Sequence, residues 1–229
     1  MQVVSIISTK GGVGKTTTAA NLGGFAADAG LRVLLLDLDV QPTLSSYFTL
    51  AERAPAGIYE MLAYNEQRAK QLVSRTAIAG LDLVLSPVTP EILAARELRR
   101  GTLQLIEDIA PYRHLGIEPP PLHLLINRVH PVSSNARLIQ QALRQAFQGQ
   151  PGVRVLDTDV PAIEAYPRAA TRGLPVHRVE YRQPAGRSAP AALDTMRALA
   201  GELFPAWRAR FALVTGRENA GGAGHGQRA

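Results

Sequence analysis

Between Ser8 and Thr18 the chain reads Ser-Thr-Lys-Gly-Gly-Val-Gly-Lys-Thr-Thr-Thr. These residue types at this spacing suit the holding of a phosphorylated ligand. Gly11, Gly12 and Gly14 have no Cβ, so the backbone N–H groups from Gly11 through Val13 to Gly14 can converge on an anion. Lys15 adds a compact positive charge for the β- and γ-phosphates, and the Thr16 hydroxyl, with Thr17 beside it, is of the kind that ligates Mg²⁺. The apolar run Val3–Ile7 predicts a short buried strand ahead of the loop, and the residues from Thr18 to Ala27 predict a helix behind it. Strand, glycine-rich turn and helix is the setting such a loop requires, since the helix N-terminus adds its own partial positive charge. The chain has three lysines, Lys10, Lys15 and Lys70, against 22 arginines. Two of the three stand in this loop, where a small, strongly hydrated ammonium is not interchangeable with a guanidinium.

The next chemistry-bearing residues are Asp37 and Asp39, which end the run Leu31–Asp39. The unbroken apolar stretch before them predicts a strand buried on both faces, as in a parallel sheet, and Gly30 predicts the end of the preceding helix. Val3–Leu38 then reads as a right-handed βαβ unit. In open α/β sheets ligands sit beyond the carboxyl ends of strands. That places both carboxylates near the γ-phosphate and metal of any ligand the loop holds.

Length and composition bound the rest. At 229 residues with 46% hydrophobic and 19% charged residues, the chain is expected to form one soluble globular domain with a real core. It has no cysteine, which excludes disulfides, thiolate nucleophiles and cysteine metal sites. The N-terminus begins directly with strand and loop, and no apolar run reaches 18 residues. A cytoplasmic location without a membrane span is therefore expected. Net charge is +6 overall but unevenly placed: −1 over residues 1–95 and +7 over residues 96–229. A basic second half can bind a phosphate backbone or can be solvated surface charge. The five histidines lack metal-ligand spacing.

Further along, residues 43–77 read as helical, and Leu81–Glu91 reads as a strand closed by Pro87 and Pro90. A helix follows to Ile109, with a proline-rich loop over 111–121. Leu122–Val129 reads as a strand with Asn127 near its end, Ser134–Phe147 as an amphipathic helix, and Val153–Pro161 as a strand running into a proline. Residues 181–190 read as a surface loop and Ala191–Phe204 as a helix that can resume after Pro205. The predicted division is a domain over 1–205 and an extension over 206–229 with a Gly-rich, disordered tail.

The run Lys10-Gly-Gly-Val-Gly-Lys-Thr-Thr departs from the general G-x-x-x-x-G-K-[ST] pattern at Thr9. It resembles the deviant phosphate loop (Walker A) of the ParA/MinD family of ATPases, with a second lysine at its start. Asp39-Val-Gln-Pro-Thr-Leu and Ser86-Pro-Val-Thr-Pro-Glu resemble its ParA-type branch, on plasmids, chromosomes and conjugative elements. The resemblance implies an α/β P-loop NTPase fold, with a mostly parallel sheet and helices on both faces. It implies ATP and Mg²⁺ as ligands, with hydrolysis of ATP. Lys10 would reach the nucleotide of a partner subunit in an ATP-dependent homodimer. Asp39 would position or activate the attacking water, with Thr16, Asp37 and Asp39 around the metal. Asn127 would recognise adenine, and Pro161 would pack against the base. The implied partners are non-specific DNA and a ParB-like protein, with a nucleoid-associated location in the cytoplasm and no membrane partner. One family element is missing from the sequence: the Walker B strand, an apolar run ending in Asp between Gln41 and Ser86, where only 81–85 looks strand-like. That leaves open a non-hydrolysing nucleotide-binding remnant, and the Trp207-containing end leaves open a MinD-like regulator at a membrane or division site.

Overall fold

Helix α1 (Lys15–Asp28) is buried on every side from Ala20 to Ala27. The sequence accounts for this: alanines, glycines and one phenylalanine give a helix without a polar face, which belongs inside a domain. It lies between two groups of buried side chains. On one side Leu22 and Phe25 pack with Leu156, Ala169, Val176, Met196, Leu199 and Phe211. On the other, Ala20 and Ala27 pack with Leu44, Phe48, Ile78, Leu81 and Leu83. The computed structural model describes residues 2–8, 11–39, 43–84, 121–130, 141, 144–145 and 153–216.

The helix ends in a Schellman motif. Gly30, at φ 78°, donates its N–H to Ala27 (2.9 Å), and Leu31 donates to Ala26 (3.1 Å). This satisfies two carbonyls that the helix leaves open and sends the chain into β1 (Val33–Leu36). β1 pairs in parallel with β4 (Leu81–Val84). β3 (Val73–Thr76) lies antiparallel against β4, and β2 (Leu50–Glu52) antiparallel against β3. The four-stranded order is β1-β4-β3-β2. A second, two-stranded parallel sheet joins β5 (Leu122–Leu124) to β6 (Val153–Val155). A parallel bridge between Val129 and Pro161 continues that pairing toward the site.

Three expectations are corrected. Residues 3–7 do not form a buried strand: they have no ladder, and Val3 and Ile7 are 78% and 53% exposed. An apolar run becomes a buried strand only between hydrogen-bonded neighbours at about 4.8 Å, and β1, the nearest strand in sequence, forms its ladder with β4. The expected βαβ unit is therefore incomplete. β1 itself is buried on one face only. Val33 and Leu35 join the core beneath α1, whereas Leu34 and Leu36 are 52% and 47% exposed. Residues 43–77 are not one helix. They form a turn, β2, the short helices α2 (Ile58–Ala63) and α3 (Ala69–Leu72), and β3. Gly57 starts α2 with its N–H bonded to the Glu60 carboxylate at 2.8 Å, one half of a capping box. Along Val73-Ser-Arg-Thr burial alternates at a strand's period of two, with Ser74 and Thr76 inside and Arg75 outside, an alternation that the residue types do not show.

Further helices are α4 (Ala165–Arg172), α5 (Val176–Val179), α6 (Ala192–Leu203) and, after a 3₁₀ turn at Pro205–Trp207, α7 (Arg208–Leu213). α4 ends at Gly173, φ 62°. The loop over 181–190 is tied down by Arg187, which pairs with Glu180 and donates to the Pro190 carbonyl at 3.0 Å. α7 turns Phe211 into the core, 1% exposed, against Phe25 and Phe204. Burying one such ring contributes about 2–3 kcal/mol. Among the described residues no helix is long and apolar enough to cross a membrane. The expectations for residues 92–109, 111–120 and the tail from 219 lie outside the described residues, as does nearly all of 134–147.

Close approach fixes α1 in place. A Cβ on Gly24 would stand 2.5 Å from Pro175 Cγ and 2.9 Å from its Cβ, and one on Gly23 would stand 2.9 Å from a Leu35 methyl. Gly24→Ala raises helix propensity by about 1 kcal/mol but forces a proline ring to move, at a cost of about 1–3 kcal/mol. Urea unfolding of Gly24→Ala is expected to show a net loss of stability despite the propensity gain.

Candidate functional site

The loop between residues 11 and 14 takes the shape that its glycines permit. Gly12 and Gly14 have φ of 73° and 93°, a left-handed region that side chains with a Cβ rarely enter. Gly14 is the N-cap of α1, and its carbonyl accepts from the Thr18 N–H at 2.8 Å. The helix therefore begins immediately behind the loop, with Lys15, Thr16 and Thr17 in its first turn. The glycine loop runs straight into a helix N-terminus whose first residue is a lysine. Around Gly11 and Gly12 there is open space where a Cβ would stand. This donor set fits a nucleotide's phosphates, and the Thr16 hydroxyl fits a divalent cation beside them. Lys10 and Gln41 lie outside the described residues.

The loop is held from one side by the end of the second sheet. Asn127 donates its amide N–H to the Val13 carbonyl at 2.8 Å, and Arg128 donates a guanidinium N–H to the Gly12 carbonyl at 2.9 Å. The Asn127 carbonyl oxygen accepts from the Arg128 backbone N–H at 2.9 Å. Both ends of the Asn127 amide are thus turned to the loop and to its own chain. Gly14 is doubly required, because a Cβ there would stand 2.5 Å from the Asn127 amide nitrogen. Pro161 is buried and reaches this neighbourhood through the bridge to Val129. The structure therefore brings Gly12, Val13, Gly14 and Asn127 together, with Pro161 close by in the chain pairing.

Asp37 and Asp39 lie just past the end of β1, as strand order requires. Asp37 is 3% exposed, and its carboxylate accepts from the Ser45 N–H (2.8 Å), the Ser45 hydroxyl (2.7 Å) and the Asp39 N–H (3.3 Å). It pins the turn that starts at Thr43 to the strand end. Sequence reasoning did not find Ser45, which carries no signal apart from its partner.

Asn21 was also missed, although a lone amide in the otherwise apolar stretch 19–27 of the helix is a legible signal. It is fully buried. Its amide nitrogen donates to the Thr17 carbonyl (2.7 Å) and the Tyr47 hydroxyl (3.3 Å), and its oxygen accepts from the Val176 N–H (2.6 Å). At the far end of α1, Asp28 takes a bidentate pair from Arg178 (2.7 and 2.5 Å) and a bond from His177 Nε2 (2.7 Å). Burial pushes the Asp28 carboxyl up, but the bonds from Arg178 and His177 outweigh it and hold the group below its ordinary range. Burial pushes the His177 imidazole down, against the opposing pull of Asp28. The ring stands edge-on to Phe25 with centroids 4.9 Å apart, and its Nδ1 has no partner among the described residues.

Glycine loop, lysine and threonine at a helix N-terminus, and strand-end carboxylates together define a phosphate-loop nucleotide-binding domain. A family model described as the CobQ/CobB/MinD/ParA nucleotide binding domain matches residues 4–176, and the chain belongs to that family. It is 32% identical to the maintenance of carboxysome distribution protein A of Gloeobacter kilaueensis, over 90% of this chain and 96% of that protein. It is 36% identical to the chromosome partitioning protein ParA of Caulobacter vibrioides over 53% of this chain, a match that spans only 48% of that relative. Among solved structures, an ATP complex of Cyanothece McdA superposes with TM-score 0.56 at 16% identity, covering 91% of this chain and 92% of that one. MinD with Mg-ADP from Pyrococcus horikoshii superposes with TM-score 0.50 at 16% identity, covering 89% and 96%. These two show the shared fold.

The Asp28–His177 pair gives a signed pH dependence. A histidine with a depressed folded-state pKa binds its proton more readily when unfolded, so stability falls as pH drops below about 6.5. Asp28, depressed by its partners, withdraws its own contribution only at lower pH, in the carboxylate range. Between pH 7.5 and pH 5.5 the wild type is expected to lose stability through His177, whose burial opposes its protonation in the folded state. In His177→Gln, urea unfolding at the two pH values is expected to show that part of the difference removed.

Proposed function

We propose that this chain is a ParA-type ATPase that positions a cargo, a replicon or another large body, by ATP-dependent association with DNA. The observation that carries the reading is the loop itself. Gly12 and Gly14 sit in left-handed conformations at the head of a 14-residue helix that presents Lys15 and Thr16 in its first turn. The two relatives named for carboxysome distribution and for chromosome partitioning support a positioning role and leave the cargo's identity open.

In this reading the residues from Gly11 to Thr17 bind the phosphates of ATP, and the Thr16 hydroxyl would hold a Mg²⁺ ion, which would supply positive charge beside the γ-phosphate. Asp39 orients a water molecule, and Asp37, fixed by Ser45, sets the position of the strand end that carries Asp39. Lys10 reaches the nucleotide of a second copy in an ATP-bound homodimer. ATP selects the dimer because the bridging contacts exist in that state alone. The basic second half of the chain, with Arg168 and Arg172 exposed on α4, binds DNA without sequence preference, and a ParB-like partner stimulates hydrolysis. The reading favours DNA over a membrane as the matrix. The C-terminal helix α7 spends Phe211 on the core, so that ring is not offered to lipid.

The test is ATP turnover by the purified chain with Mg²⁺ and non-specific DNA, beside Lys15→Ala. Turnover lost by at least about 100-fold in Lys15→Ala is expected, given the electrostatic role assigned to that ammonium. DNA binding is expected to weaken steeply with salt. Nucleotide binding without turnover would instead identify a nucleotide-binding remnant that lacks the Walker B carboxylate. ATP-dependent pelleting with liposomes, without salt-sensitive DNA binding, would favour the MinD-like reading.

A further inference from the structure

We propose that Arg128 is a positioning residue for the phosphate loop: together with Asn127 it fixes the orientation of the loop's peptide planes from behind, before any nucleotide arrives. The inference rests on the nucleotide-binding reading above and deepens it. The trans peptide is planar, and each C=O points opposite to the next residue's N–H. Arg128 holds the Gly12 carbonyl at 2.9 Å, which turns the Val13 N–H away from the guanidinium. Asn127 holds the Val13 carbonyl at 2.8 Å, which turns the Gly14 N–H away from the amide. Two successive N–H groups are thereby aimed without any contact to them. These are the groups that the loop would offer to phosphate.

Two further features set Arg128 apart from a passing surface contact. Its backbone stands at φ 58°, one of two non-glycine residues with positive φ among the described residues. Such a conformation persists where the surroundings impose it. Here the imposing contact is local: the Asn127 side-chain oxygen accepts from the Arg128 N–H at 2.9 Å. The loop and the end of the second sheet, 116 residues apart in sequence, form one interlocked turn pair. Otherwise that sheet end touches the loop through Asn127, where a Cβ on Gly14 would not fit. An arginine suits the task because a long side chain with several N–H donors reaches a carbonyl from an exposed position.

The experiment uses the full chain with Arg128→Gly, Arg128→Gln and Arg128→Lys. Glycine removes the side chain and accepts the left-handed backbone, so that lost contacts are not confused with strain. Glutamine keeps an N–H donor without charge. Two quantities are measured: ¹⁵N order parameters of Val13 and Gly14 in nucleotide-free protein, and affinity for fluorescent ADP and ATP analogues. In Arg128→Gly the order parameters are expected to fall from about 0.85 to below about 0.6. ADP and ATP affinities should fall by the same factor, roughly fivefold, as for one net hydrogen bond lost. Arg128→Gln should recover most of both. Unchanged loop order in Arg128→Gly overturns the proposal. So does a loss much larger for ATP than for ADP that lysine rescues and glutamine does not, because the guanidinium would then be acting directly on a phosphate. If the wild type binds neither analogue while the order parameters still fall in Arg128→Gly, the nucleotide reading fails and the positioning of the loop stands.

Discussion

The buried amide of Asn21 is the interaction on which the other contacts of α1 depend. It lies in the middle of a helix that is packed on all sides, and each of its polar atoms is used: toward Thr17 in its own helix, toward Tyr47 in the turn after β1, and toward the start of α5 at Val176. An amide in such a place is tolerated only when fully bonded, since an unpaired buried polar group costs more than the bond is worth. The constraint is therefore mutual. The helix cannot rotate or slide without orphaning the amide, and the two elements that meet it cannot withdraw. Gly23 and Gly24 allow the approach that this geometry needs, one against Leu35 and the other against Pro175.

The phosphate loop inherits its rigidity from this arrangement. Its C-terminal end is the first turn of α1, which Asn21 fixes one turn further along. Its middle is held by Asn127 and Arg128 at the end of the second sheet. At the opposite end of α1 the Asp28–His177–Arg178 cluster anchors α5. One helix thus connects the glycine loop at its start to a part-buried ion pair at its end. The segment before the loop, residues 3–7, lacks equivalent support from a ladder. The loop is held through the helix behind it and the sheet end beside it.

The site's carboxylates show the same division of labour. Asp37 is committed to Ser45 and to the Asp39 N–H, so it shapes the strand end, and Asp39 is the acid whose position it sets. A strand-end acid that bonds the following turn makes the turn part of the site. This explains why the segment after β1, read in sequence as the start of a long helix, begins instead as a tight turn with Leu44, Tyr47 and Phe48 buried.

The sequence alone determined the loop, the helix behind it, the Gly30 stop, the strand ending in Asp37 and Asp39, and the position of Asn127. Each is a local matter: glycines license particular dihedral angles, an apolar run with a small-residue continuation specifies a strand and a helix, and a proline or glycine ends an element. It also carried enough of a family pattern to be recognised from eight residues. Tertiary structure decided what depends on partners distant in sequence. Whether residues 3–7 and Leu34 are buried depends on neighbouring strands and not on their own hydrophobicity. The strands within 43–77 exist because β4 offers β3 an edge, which no local propensity reveals. The pairing of Arg128 with Gly12, of Asn21 with Val176 and of Asp28 with His177 joins positions that only the packing of α1 brings within reach of a hydrogen bond.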